Sequence, residues 1–164
     1  MKRSLVIASL VVLGGVGWYL FRPERLFVNK RVHEDLAQAT GQTGDVAAAP
    51  SALARGAFHS VAHETRGTAT ILDVGSGKRI LRLTDFSTSN GPDVRVYLVA
   101  APDASDNETV SKAGFVELGA LKGNQGDQNY EVPASVDLGK YRAVTIWCYR
   151  FSVNFATAPL APAS

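Results

Sequence analysis

From residue 56 onward no 3.6-residue apolar repeat persists, and the chain reads as short alternating runs cut by Gly, Pro, Asn and Asp. Alternation places successive side chains on opposite faces, so each run can cover only one side of a sheet. Residues 67–74 and 78–86 flank Gly75, Ser76 and Gly77, a hairpin signal. In the second run Leu81 and Leu83 oppose Arg82 and Thr84. Asn90, Gly91, Pro92 and Asp93 spell a turn, because Asn and Gly tolerate positive φ and Pro presets the bend. Val94, Val96 and Leu98 then share a face against Arg95 and Tyr97. After a polar loop over 101–112, strands are predicted at 115–121, at 128–132 ending on Pro133, at 140–147 and at 151–156. Phe151, Val153 and Phe155 are expected to share one face of the last. The fold class is all-β: an antiparallel sandwich or barrel-like domain over 55–160, followed by a tail at 161–164.

The N-terminus has a different texture. Residues 4–21 are apolar and uncharged, Lys2 and Arg3 precede them, and Trp18 and Tyr19 fall where an interfacial aromatic belt would lie. The run is near the lower limit for crossing ~30 Å of hydrocarbon. Its bulky end, WYLFRPERLF, lacks the small residues of a cleavage site, which favours a retained signal anchor over residues 1–25. Positive charge flanks the run on both sides, and the very short N-terminal tail favours a single-pass protein with its domain outside the cytoplasm. Residues 26–54 read as a juxtamembrane segment and linker. The part up to residue 39 mixes charge with Leu26, Phe27, Val28 and Leu36 and could prolong the helix, and 40–54 reads as a tether.

The formal charge of +2 is unevenly placed. Residues 1–55 hold seven Lys/Arg against four Asp/Glu, and the remainder holds ten against eleven. The basic excess lies beside the anchor, where it can meet anionic lipid, and no basic stripe with aromatics marks the domain for nucleic acid.

Cys148 is the only cysteine, so no intrachain disulfide is available. In the run AVTIWC it shares a face with Val144 and Ile146, where a small core residue is the ordinary reading, and Trp147 should point the other way. His59 and His63 are four apart, and with Cys148 they form a His-His-Cys set of the kind that holds copper. The single Met is Met1 and there is no C-x-x-C-H, so neither a compact copper loop nor covalent haem is encoded. Non-covalent haem on Cys148 or His63, or a metal, stays open, and the cofactor is unknown. Asp85 and Asp93 occupy turn-capping positions. No G-x-S-x-G, phosphate-cradling loop or H-E-x-x-H supports a hydrolase or nucleotide enzyme.

Five segments in order carry a resemblance: GAFHSVAHETRGTATIL, LRLTDF, NGPDVRVYL, VELGALKGNQGDQNYEVP and VDLGKYRAVTIWCYRFSVNFATAPL. Together they cover about 55–160 and resemble the DM-13 domain, a family associated with electron transfer and found beside DOMON and cytochrome b561-type modules. The resemblance implies a small β domain in which Cys148 does redox chemistry, as a naked thiol or with a prosthetic group such as haem. His63, Asp85, Phe86, Gly91, Pro92, Asp93 and Trp147 fall on other recurrent positions. Joined to the N-terminal anchor, this gives a membrane-anchored redox module with Cys148 as the expected reactive group and His63, Asp85 and Asp93 as candidate binding residues. The electron partner would be a separate protein or small molecule. A different class of function, a ligand-, glycan- or partner-binding envelope domain with a structural cysteine, would need exposed aromatics such as Tyr97 or Tyr149.

Overall fold

The computed structural model describes residues 2–21, 28–37 and 49–163, and only the backbone of residues 2–6, 8, 20 and 21. Helix α1 (Lys2–Phe21) precedes two sheets. The strands are β1 (Arg31–His33), β2 (Ser51–Ala57), β3 (His59–Ser60), β4 (Arg66–Asp73), β5 (Arg79–Ser87), β6 (Val94–Val99), β7 (Phe115–Ala120), β8 (Gln125–Val132), β9 (Ala143–Cys148), β10 (Val153–Pro159) and β11 (Ala161–Pro162). One sheet runs β1-β8-β5-β4-β2-β11 and the other β3-β10-β9-β6-β7. Every described pairing is antiparallel except β1 with β8. The chain is an all-β sandwich, and its inner faces bury Ile71, Leu81, Leu83, Phe86, Val96, Leu98, Val144, Ile146 and Phe155.

The β4–β5 hairpin forms as its glycines require. Gly75, Ser76 and Gly77 all have positive φ, and Val74 N–H donates to the Lys78 carbonyl at 3.0 Å. Opposite Gly67, β5 carries a bulge at Asp85 and Phe86, where the register slips between Arg66/Ser87 and Thr68/Thr84. Asp85 takes φ 51° and its N–H donates to Asp127 Oδ1 at 3.0 Å. The bulge turns Phe86 inward against Phe58, ring centroids 5.3 Å apart and edge-on. Gly67, at φ 118°, leaves the space: a Cβ there would stand 2.8 Å from Phe86 Cα. Gly67→Ala is expected to destabilise the domain by about 2–3 kcal/mol, through left-handed strain and the blocked bulge. A denaturant midpoint unchanged from the parent would contradict this reading.

Several expectations change. The 101–112 stretch is not simply a loop, because it contains helix α2 (Asn107–Ala113), N-capped by Asp106, which accepts from Thr109 N–H at 2.6 Å. This segment folds over the outer face of the β9 sheet, making a second cluster of Tyr97, Val99, Ala104, Val110 and Trp147. Strand β9 is therefore buried on both faces. Arg31–His33 does not extend a helix but pairs with β8, and Ser51–Ala54 belongs to β2 rather than to a tether. Residues 40–48 of the expected tether lie outside the described residues. Phe151 does not share a face with Phe155. It is exposed in a turn, and a bulge after Asn154 sends Phe155 and Ala156 into the core. Among the described residues no helix is long and apolar enough to cross a membrane.

Candidate functional site

Cys148 is the last residue of β9, paired across the ladder with Val94 at the start of β6 and Val153 at the start of β10. It lies at one end of the sandwich, pointing inward with Val144 and Ile146 as the alternation predicts. The thiol is free and 0% exposed. The turn that follows at once is open, with Tyr149 56% and Phe151 66% exposed. Tyr149 N–H donates to the Asp93 carbonyl at 2.8 Å, tying this turn to the 90–93 turn.

Gly91 makes that junction close-packed. A Cβ on it would come within 2.6 Å of Val94 Cγ2 and 3.0 Å of Phe155 Cζ. The His63 ring covers Phe155, with centroids 3.8 Å apart, and His63 N–H donates to the Phe155 carbonyl at 3.2 Å. Thus His63, Gly91 and Asp93 gather at the Cys148 end of the sheet. Asp85 does not join them: it holds the bulge of the opposite sheet.

Asp93 has a defined electrostatic role. Its carboxylate accepts from Arg95 Nε at 2.9 Å and Nη2 at 3.0 Å. Arg95 Nη1 reaches Glu117, and its guanidinium lies 4.1 Å from the Tyr149 ring centroid. The Arg95 hydrogen bonds hold the Asp93 carboxyl below its ordinary pKa, against a smaller opposing push from burial. A depressed carboxyl contributes stability that is complete above its unfolded value and is lost as pH falls through the native one. Asp93→Asn is therefore expected to flatten the acid side of the stability profile, read as urea midpoints at about pH 3 and about pH 6. An unchanged acid slope would contradict the pairing.

Beside this end lies a cleft of about 720 Å³ whose lining includes Tyr19, Asn29, Lys30, Asp93, Lys122 and Arg150. Lys122 is engaged by Glu34 at 2.8 Å. Asn124 fixes the incoming chain: its Oδ1 accepts from Lys30 N–H at 2.7 Å and its Nδ2 donates to Asn29 Oδ1 at 2.9 Å. These partners come from 28–34, and no sequence periodicity announced their return to the sheet.

The histidines do not form a metal set with Cys148. His59 Nε2 bonds Asp103 at 2.8 Å, His63 packs on Phe155, and Cys148 faces the inner core. Among the described residues no three His, Cys, Asp or Glu side chains are grouped to hold a metal. The cleft lining contains no His, Cys or Met. Among the described residues the donors fit no copper centre. What remains is one free thiol, one residue inside an exposed turn. No curated protein and no solved structure matches the chain. A model of one family, described as Electron transfer DM13, matches residues 57–160, more than half of the sequence, and the chain belongs to that family.

Proposed function

We propose that this protein is a membrane-anchored, extracytoplasmic electron-transfer module whose redox group is the Cys148 thiol. One observation carries the proposal: the only cysteine is free and ends its strand beside an exposed turn. A group at that place is uncovered by local opening of the 149–152 turn, which costs far less than global unfolding. Once open, the thiolate attacks a disulfide of a separate partner protein. A bond forms from Cys148 Sγ to one partner sulfur, the partner's S–S bond breaks, and its second sulfur leaves as thiolate. A low-molecular-weight thiol displaces the first partner sulfur from Cys148, and a second attacks that mixed disulfide, releasing Cys148 as thiolate and the disulfide of the two small thiols. Two electrons pass from the two thiols to the partner.

The anchor reading rests on α1. In the sequence, residues 4–21 of this segment form an uncharged apolar run. Its described apolar side chains, including Leu10, Val11, Val12 and Leu13, stand exposed rather than packed on the sheets. Hydrocarbon is the medium that accepts such a surface.

Cys148→Ala in the full chain is expected to cost about 1–2 kcal/mol and leave a folded domain. It should also abolish acceleration of disulfide reduction by small thiols. A variant as active as the parent would overturn the proposal. The rival binding reading draws on Tyr149 and Phe151, since Tyr97 is 1% exposed and unavailable. It requires that Tyr149→Ala abolish partner capture and Cys148→Ala leave it intact.

A further inference from the structure

The Cys148 end of the sandwich is also the end at which the N-terminal helix arrives. Tyr19, in the last turn of α1, lines the same cleft as Lys30, Asp93 and Arg150. Only residues 22–27 separate Phe21 from Val28, a covalent reach of at most about 25 Å. From residue 28 the chain is held to the domain. Asn90 Nδ2 donates to the Val28 carbonyl at 3.2 Å, Asn124 binds Asn29 and Lys30, and β1 pairs with β8. A membrane entered by α1 therefore confronts this end and not the other. The surface presented there is suited to a headgroup region. Tyr149 and Phe151 project from the turn, and Lys30 and Arg150 have no ion pair among the described residues. Glu34 pairs with Lys122, Asp93 and Glu117 share Arg95, and Arg150 also acts on Asp93, so with Lys30 the cluster keeps a small excess of positive charge.

We infer that the domain docks on the bilayer surface through this end. Tyr149 and Phe151 enter the headgroup–acyl boundary, and Arg150 and Lys30 face anionic lipid phosphates. This inference rests on the anchor reading given above. It also turns the Cys148 strand end toward the lipid, so the electron partner is confined to the membrane.

The test uses the full chain in vesicles of phosphatidylcholine with phosphatidylglycerol, carrying a spin label on the shallow acyl carbons. Phe151→Trp and Tyr149→Trp place a reporter in the exposed turn. Ser135→Trp places one beyond the far end of β8, about 25 Å away along the strand. The added emission of either turn variant is expected to be roughly halved by the labelled lipid, and that of Ser135→Trp left unchanged. Arg150→Glu should reduce the turn quenching in the anionic vesicles and not in pure phosphatidylcholine. Protein that fails to float with the vesicles overturns the anchor reading and this inference together. Protein that floats with equal quenching at positions 151, 149 and 135 overturns the docking surface alone.

Discussion

Replacing Phe86 by alanine is expected to lower the stability of the domain by about 3–5 kcal/mol. The side chain is 2% exposed, sits in the central core and meets Phe58 edge-on at 5.3 Å. It reaches that place only because the bulge at Asp85 turns it inward, so surrounding strands cannot close the void without undoing the bulge. Against a total stability of about 5–15 kcal/mol the loss is large enough to unfold a sizeable fraction at physiological temperature. Thermal and urea unfolding of the variant measure it. A loss below about 1 kcal/mol would mean that the bulge does not set the packing.

Gly126→Ala is expected to release β1. Gly126 opposes Val32 in the parallel ladder at φ 96°, and a Cβ there would collide with the Val32 carbonyl oxygen. Left-handed φ costs an alanine about 1–2 kcal/mol, and the collision adds to it unless β1 moves away. Moving β1 away also gives up the Glu34 N–H bond to the Asp127 carbonyl at 3.0 Å and the Glu34–Lys122 pair. Hydrogen exchange distinguishes the outcomes: the Glu34 amide should lose protection while the Ile146 amide, in the core strand, keeps it. The domain would then hang from a longer tether, and the quenching of Phe151→Trp by labelled lipid should fall with it. Retained protection at Glu34 would contradict the role assigned to Gly126.

The strands around the core were legible because period-2 patterning and turn residues agree. Gly75 to Gly77 placed the β4–β5 hairpin, and the opposed faces of Val96 and Tyr97, and of Ile146 and Trp147, are as the alternation predicts. Three features were hidden for identifiable reasons. Helix α2 has a single buried residue, Val110, so no apolar repeat marks it, although Asp106 and Gly114 were readable as caps. Strand β1 is three residues long and is specified by long-range partners such as Asn124, which local patterning does not record. The bulges in β5 and β10 shift the phase of alternation, and Phe151 parts from Phe155 because it lies in the turn before β10 begins.

The candidate site was legible to a smaller degree. The sequence placed Cys148 on the inner face, and it gave no signal that His63 and Gly91 would close over Phe155 at the same end. His59 and His63 looked alike in spacing, yet one pairs with Asp103 and the other covers an aromatic ring. Asp85, grouped with Asp93 by the resemblance, is explained by its positive φ and its backbone bond to Asp127.

The most direct measurement of the central claim is the rate at which Cys148 reacts with a small disulfide or alkylating reagent in the native full chain. That rate should be compared with global unfolding under the same conditions. Local opening beside the 149–152 turn predicts native labelling at least about tenfold faster than unfolding. It also predicts that Arg95→Ala, which removes the guanidinium lying over the Tyr149 ring, raises that rate without changing global unfolding to the same degree. Labelling that occurs only at the global unfolding rate, unaffected by the turn, would contradict a redox role and leave Cys148 as a packed core residue.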